Sequence, residues 1–127
     1  MMQKPKLGWL GALLVASFMA LPVEANVNKS ITIGDNTESG GESTVNGSIS
    51  VGSGATVNGS LSTVNGTIRV DEAARLEDVE TVNGSIRIGA GTVVDDVGSF
   101  NGSIRLGENV TVEGEISIVN GKITLDN

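Results

Sequence analysis

The tripeptide Val-Asn-Gly, or a close relative of it, recurs along this chain at a nearly constant interval, and that recurrence limits the fold more than any other feature. Lengthened to seven residues, the motif reads VNGSISV at 45–51, VNGTIRV at 64–70, VNGSIRI at 82–88 and FNGSIRL at 100–106. VNGKITL at 119–125 closes the series and VNKSITI at 27–33 opens it; a shorter copy starts at Val57. The full copies therefore begin at residues 27, 45, 64, 82, 100 and 119, a period of 18 or 19 residues.

A period of that length divides into three hexapeptides, each with an aliphatic residue first and usually another fifth. In one coil the first positions are Val82, Ile88 and Val94; in the next they are Phe100, Leu106 and Val112, with Val110 and Ile116 fifth. The 19-residue coils are expected to take up their extra residue at Thr63 and Ile118. A hexapeptide with two inward aliphatics makes one short strand and a bend. Neither a strand nor a single coil can bury its apolar face alone, so successive coils must stack, at the interstrand spacing of about 4.8 Å. The expected fold is all-β: a single-stranded parallel β-helix of about five triangular coils, forming a rod roughly 24 Å long at that spacing. Ile31, Ile49, Ile68, Ile86, Ile104 and Ile123 would form one continuous core stripe. A helical fold is excluded by the 18 glycines and by the absence of any 3.6-residue apolar period. The regular aliphatics exclude disorder.

The solenoid is expected over residues 26–127, because 1–25 read as a cleavable export signal. Lys4 and Lys6 precede an uncharged run, Leu7 to Val23, rich in Leu, Ala and Val; Pro22 breaks it, and Val23-Glu24-Ala25 presents small residues for a signal peptidase. The alternative, a retained membrane anchor, needs a span of about 20 residues, and this run is shorter. Cleavage before Asn26 places the product in the periplasm or outside the cell, without a membrane span. The remainder carries six basic and fourteen acidic side chains, a formal charge of −8. Nucleic acid and anionic membranes need a cationic surface, so neither is an expected partner. With no cysteine, packing and hydrogen bonds must hold the exported fold without disulfides.

The Thr-Val-Asn-Gly-Ser/Thr-Ile units at Thr44, Thr63 and Thr81 resemble the repeats of bacterial adhesin β-solenoid domains. The wider pattern, aliphatic-x-Gly-x-Ile-x-aliphatic, is similar to the bactofilins, a family of polymer-forming β-helix proteins. The resemblance covers residues 27–127 and implies a solenoid with an adhesive or self-assembling role. Bactofilins are mostly cytoplasmic or membrane-associated, so the export signal favours the adhesin-like group. Neither family supplies a catalytic residue.

Two kinds of column stand out. Asn28, Asn46, Asn65, Asn83, Asn101 and Asn120 could present a binding face, but stacked amides that hydrogen-bond the coils above and below make a structural ladder the better reading. Asn followed by Gly also suits a bend with positive φ. Asn-x-Ser/Thr acceptor sequences at Asn28, Asn46, Asn58, Asn65, Asn83, Asn101 and Asn109 are by-products of the same repeat. Arg69, Arg87 and Arg105 form a second kind of column. Glu77, Asp95 and Glu113 form another, with Asp78 and Asp96 alongside. The acidic column is a candidate cation site, its oxygens suiting Ca²⁺. The two signs together could support lateral association of rods, and a solvated surface that discourages edge aggregation is the plain alternative. An envelope glycan is a further candidate ligand for a charged column.

Enzyme chemistry is not expected, and no cofactor is implied. Without His or Cys there is no imidazole base, no thiolate and no His metal ligand. Hexapeptide acyltransferases and solenoid carbonic anhydrases depend on histidine. Adjacent carboxylates such as Asp95-Asp96 point apart on a strand, and no loop insertion builds a cleft around them. Ice binding needs unbroken Thr rows, which Arg and Asn interrupt. The ends matter more. The first coil has no aliphatic from Asp35 to Thr44, so it is either a loose polar cover or disordered, whereas Val119, Ile123 and Leu125 end the chain on an uncovered strand. End-to-end self-association is expected from that edge.

Overall fold

The computed structural model describes residues 27–126, so the export signal expected over 1–25 and the start at Asn26 lie outside the described residues. Strands occur wherever the heptapeptide recurs. β1 (Ile31–Ile33), β3 (Ile49–Val51), β5 (Ile68–Val70) and β7 (Ile86–Ile88) are three-residue strands on the Ser/Thr-Ile half of the motif. β2 (Glu38–Asn46), β4 (Thr56–Asn65) and β6 (Val79–Asn83) lead into its Val-Asn half. β9 (Val97–Leu106) and β11 (Ile116–Leu125) run through both halves and round the Asn-Gly corner. The third side is short in the later coils: β8 (Val93–Val94), β10 (Thr111–Val112) and, at Arg75, isolated bridges to Thr56 and Val93.

All pairing is parallel, between each coil and its counterpart one repeat away. Ile31, Ile49, Ile68, Ile86, Ile104 and Ile123 stand directly over one another. Val79, Val97 and Ile116 do so on a second side, and Val94 and Val112 on the third. About five coils stack in this way into a β-solenoid. Because β9 turns a corner without a break, it joins two of the stacks into one nine-stranded sheet. Backbone hydrogen bonds of 2.8–3.0 Å link the coils at the bends as well, for example Gly52 N to Ile33 O, Gly89 N to Val70 O and Gly107 N to Ile88 O.

The core is a set of aliphatic columns. Ile49, Ile68, Ile86 and Ile104 are at most 1% exposed, and Val51, Val70, Ile88 and Leu106 form the neighbouring stripe. Ala55, Ala74, Val57, Leu76 and Val94 fill the third side. Burial fades at the ends. Ile31 is half-buried and Ile123 exposed, since among the described residues each has a coil on one side only.

The hexapeptide register needs one correction. Val45, Val64, Val82 and Phe100, expected inside, are only half-buried, and the buried residue is the one before: Thr44, Thr63, Thr81 and Ser99. Strand alternation is the cause. Leu61 and Thr63, or Val97 and Ser99, share one face, so the motif's first residue falls on the other. The threonine hydroxyl is satisfied locally. Thr44 Oγ1 donates to Lys29 O (2.8 Å), Thr63 Oγ1 to Gly47 O (3.0 Å) and Thr81 Oγ1 to Gly66 O (3.5 Å). A second correction concerns the two long coils. Gly40 pairs with Asn58 but Glu42 with Leu61, so the extra residue lies at Gly59-Ser60, as a bulge opposite Gly41. In the later coil it lies within residues 113–115, because Val94 pairs with Val112 but Val97 with Ile116. Ile118 is no insertion: it stands in register over Ser99.

Residues 35–44 are ordered into the first coil, with β2 paired to β4. The polar stretch is a cover.

Candidate functional site

The six asparagines stand in one exposed column at the corner where the motif bends. Asn46 Nδ2 donates to Asn28 Oδ1 (3.0 Å), Asn65 to Asn46 (2.9 Å), Asn83 to Asn65 (3.2 Å) and Asn101 to Asn83 (3.2 Å). Asn120 continues the column in register with Asn101. Each amide in the series spends its groups on the next coil, which suits a ladder rather than a surface that must offer them to a ligand.

The glycine that follows is there for space. A Cβ at Gly47 would strike Lys29 O, and one at Gly66, Gly84, Gly102 or Gly121 would strike the carbonyl of the column glycine one coil earlier. Positive φ does not account for this column. Only Gly102 and Gly121 have it, at 155°, where it adds a second demand for glycine. The left-handed bends are elsewhere, in a column outside the Val-Asn-Gly motif: Asn36 (φ 52°), Gly54 (70°), Ala73 (56°), Gly91 (71°) and Asn109 (57°). Its signal was present, since these five residues are spaced 18, 19, 18 and 18 apart and four of them are Asn or Gly.

The charged columns lie on different sides of the rod. Arg69, Arg87 and Arg105 are in register on the β5, β7 and β9 face. They line a shallow groove with Thr67, Ser85, Ser103 and Thr124. Arg105 is held by Asp126, Nε to Oδ2 and Nη2 to Oδ1, both 3.2 Å. Arg69 and Arg87 carry no ion pair among the described residues. Three exposed guanidiniums at coil spacing therefore sit together on a chain that is otherwise acidic.

Glu77, Asp95 and Glu113 do come to one place. They line a groove on the short third side with Thr56, Asn58 and Arg75. Arg75, absent from the sequence-derived set, puts a cation of the chain's own beside them. Asp96 is occupied structurally, its Oδ1 accepting the Glu115 N–H at 2.8 Å. Among the described residues, no group of three or more acidic side chains is placed to hold a metal ion. Nor is any helix there long and apolar enough to cross a membrane.

The most unusual surface is an end. Among the described residues β11 pairs with β9 alone, which leaves its other edge open. Val119 (52% exposed), Ile123 (40%) and Leu125 (63%) make up most of the large hydrophobic exposure of the described residues. No known protein family, curated protein or solved structure matches this chain.

Proposed function

We propose that this chain is a non-enzymatic, exported β-solenoid with a structural, self-assembling or adhesive role at the bacterial cell envelope. The open edge of β11 carries the reading. It is ten residues long, offers a row of unpaired backbone groups and ends in exposed aliphatics, the combination that natural sheets avoid unless the edge is used. The likeness of the Thr-Val-Asn-Gly repeats to adhesin solenoids and to the polymer-forming bactofilins supports the same role, and the leader-like residues 1–25 support export. Sedimentation velocity of the exported form over a wide concentration range tests it. Reversible association, weakened by Leu125→Lys, is expected. A single monomeric species at every concentration contradicts self-assembly.

The Arg69–Arg87–Arg105 row favours a second reading, a binding face for an envelope glycan with acidic groups. Among the described residues two of its guanidiniums lack a carboxylate partner, and four hydroxyl side chains flank the row. Retention on a dextran sulfate column that is lost in Arg69→Ser/Arg87→Ser would favour it; flow-through of the unmodified chain would remove it. The Ca²⁺ alternative on Glu77, Asp95 and Glu113 has less support, because Arg75 shares their groove.

A further inference from the structure

The two ends of the rod are built differently. At the N-terminal end, Ser39, Glu42 and Thr44 stand over Val57, Leu61 and Thr63, so polar side chains close two sides of the core, and only Ile31 and Ile33, over Ile49 and Val51, are aliphatic there. At the other end Ile116, Ile118, Ile123 and Leu125 stand over Val97, Ser99, Ile104 and Leu106, and every one of the four is aliphatic. The threonine of the earlier coils has become Ile118.

The corner column adds a steric difference. Each later coil has glycine there, because a Cβ would strike the carbonyl of the coil before it. The first described coil has Lys29 instead, and no described coil lies before it. Were a second copy to continue the rod head to tail in the same register, its Lys29 Cβ would fall on the Gly121 carbonyl. An inserted lysine at a sheet edge is a familiar guard against edge pairing. The N-terminal end is closed to in-register growth and the C-terminal end is not.

We infer that β11 docks a second copy of this chain tail to tail, the two β11 strands running antiparallel about a two-fold axis through the Asn120–Gly121 corner. This rests on the self-assembly reading and specifies its partner and geometry. The register follows from the sequence of β11 itself. Pairing about that corner sets Ile116 against the partner's Leu125 and Ile118 against the partner's Ile123, with Ser117 against the partner's Thr124. All four inward aliphatics then meet an aliphatic. A slip of one residue sets Ile118 against Lys122 or Thr124 and loses the match. The axis at a corner also lets both adjoining sides of the coil superpose on their counterparts. The assembly is isologous and closes at two, since both outward ends then carry Lys29.

The chain has no cysteine, so a single introduced thiol reports the contact. Asn120→Cys, beside the axis, is expected to give a disulfide-linked dimer under mild oxidation. Asn28→Cys, at the far end, is expected to give none. A cross-link that forms only when the two variants are mixed means head-to-tail stacking; it overturns the tail-to-tail geometry and leaves self-assembly standing. Cross-linking by Asn28→Cys alone overturns it likewise. If neither variant nor their mixture cross-links, and the unmodified chain sediments as a monomer throughout, both readings fall. A sedimentation series that stops at the dimer, and extends to larger species only in Lys29→Gly, supports the inference without relying on the thiol. Filaments of the unmodified chain overturn it.

Discussion

Ile86 is 1% exposed and stands in register between Ile68 and Ile104, both fully buried. Ile86→Ala removes three carbons from the middle of that column. At about 0.8 kcal/mol for each carbon, the transfer cost alone is about 2.4 kcal/mol. The coils above and below are held at strand spacing by their own backbone hydrogen bonds, so they cannot close on the space left. Adding the cavity cost gives about 3–4 kcal/mol, within the range for buried Ile→Ala changes. Ile123 occupies the same column but is 40% exposed, with no described coil above it, and Ile123→Ala should cost only about 1 kcal/mol. Urea denaturation followed by circular dichroism, at concentrations where the chain is monomeric, measures both. Against a total stability of about 5–15 kcal/mol, the central change is readily resolved. Equal losses at the two positions, or a loss below about 1 kcal/mol at Ile86, would refute a stacked column that is tight in the middle and open at its end.

Other positions give independent checks in the same assay. Gly84→Ala places a methyl on the Gly66 carbonyl and should cost about 2–3 kcal/mol, whereas Gly40→Ala, with open space around it, should be nearly neutral. Ser99 Oγ is buried without a hydrogen-bond partner, where the threonines before it donate to the preceding corner carbonyl. Ser99→Thr, which puts the column's hydroxyl-bearing threonine back at this position, should regain that hydrogen bond and stabilise by about 1 kcal/mol; destabilisation would mean that Ile118, in register over it, leaves no room for the methyl. Ala73 alone among the five left-handed bend residues is neither Asn nor Gly. Ala73→Gly should stabilise by about 0.5–1 kcal/mol, the relief of positive φ outweighing the added freedom of the unfolded chain.

How far the sequence could be read depended on what each residue type is constrained by. The isoleucine column was readable because its spacing equals the coil length and isoleucine has one use at that spacing, to be buried. The strand phase was harder. Val64 is more apolar than Thr63, yet Thr63 is inside, because Leu61 two residues earlier sets the face and a local carbonyl satisfies the hydroxyl. Hydrophobicity ranks the two residues in the wrong order. The bulge at Gly59-Ser60 was hidden for a related reason: a repeat count shows that a coil has one residue too many but not where the backbone takes it up. The glycine column could be seen, but its cause could not, since close approach between coils and positive φ demand the same residue. The Asn and charged columns share the coil period, so their stacking followed from the fold. Arg75 was not found because it recurs in no other coil, and only the folded chain brings it beside Glu77, Asp95 and Glu113.

The stacked parallel register underlies every surface described, and nuclear Overhauser contacts test it most directly. Contacts linking Ile68 to Ile86 and Ile86 to Ile104, with side-chain amide contacts linking Asn65 to Asn83 and Asn83 to Asn101, are the expected pattern. Contacts that instead pair each strand with its sequence neighbour in antiparallel hairpins would contradict the solenoid, and with it the open C-terminal end.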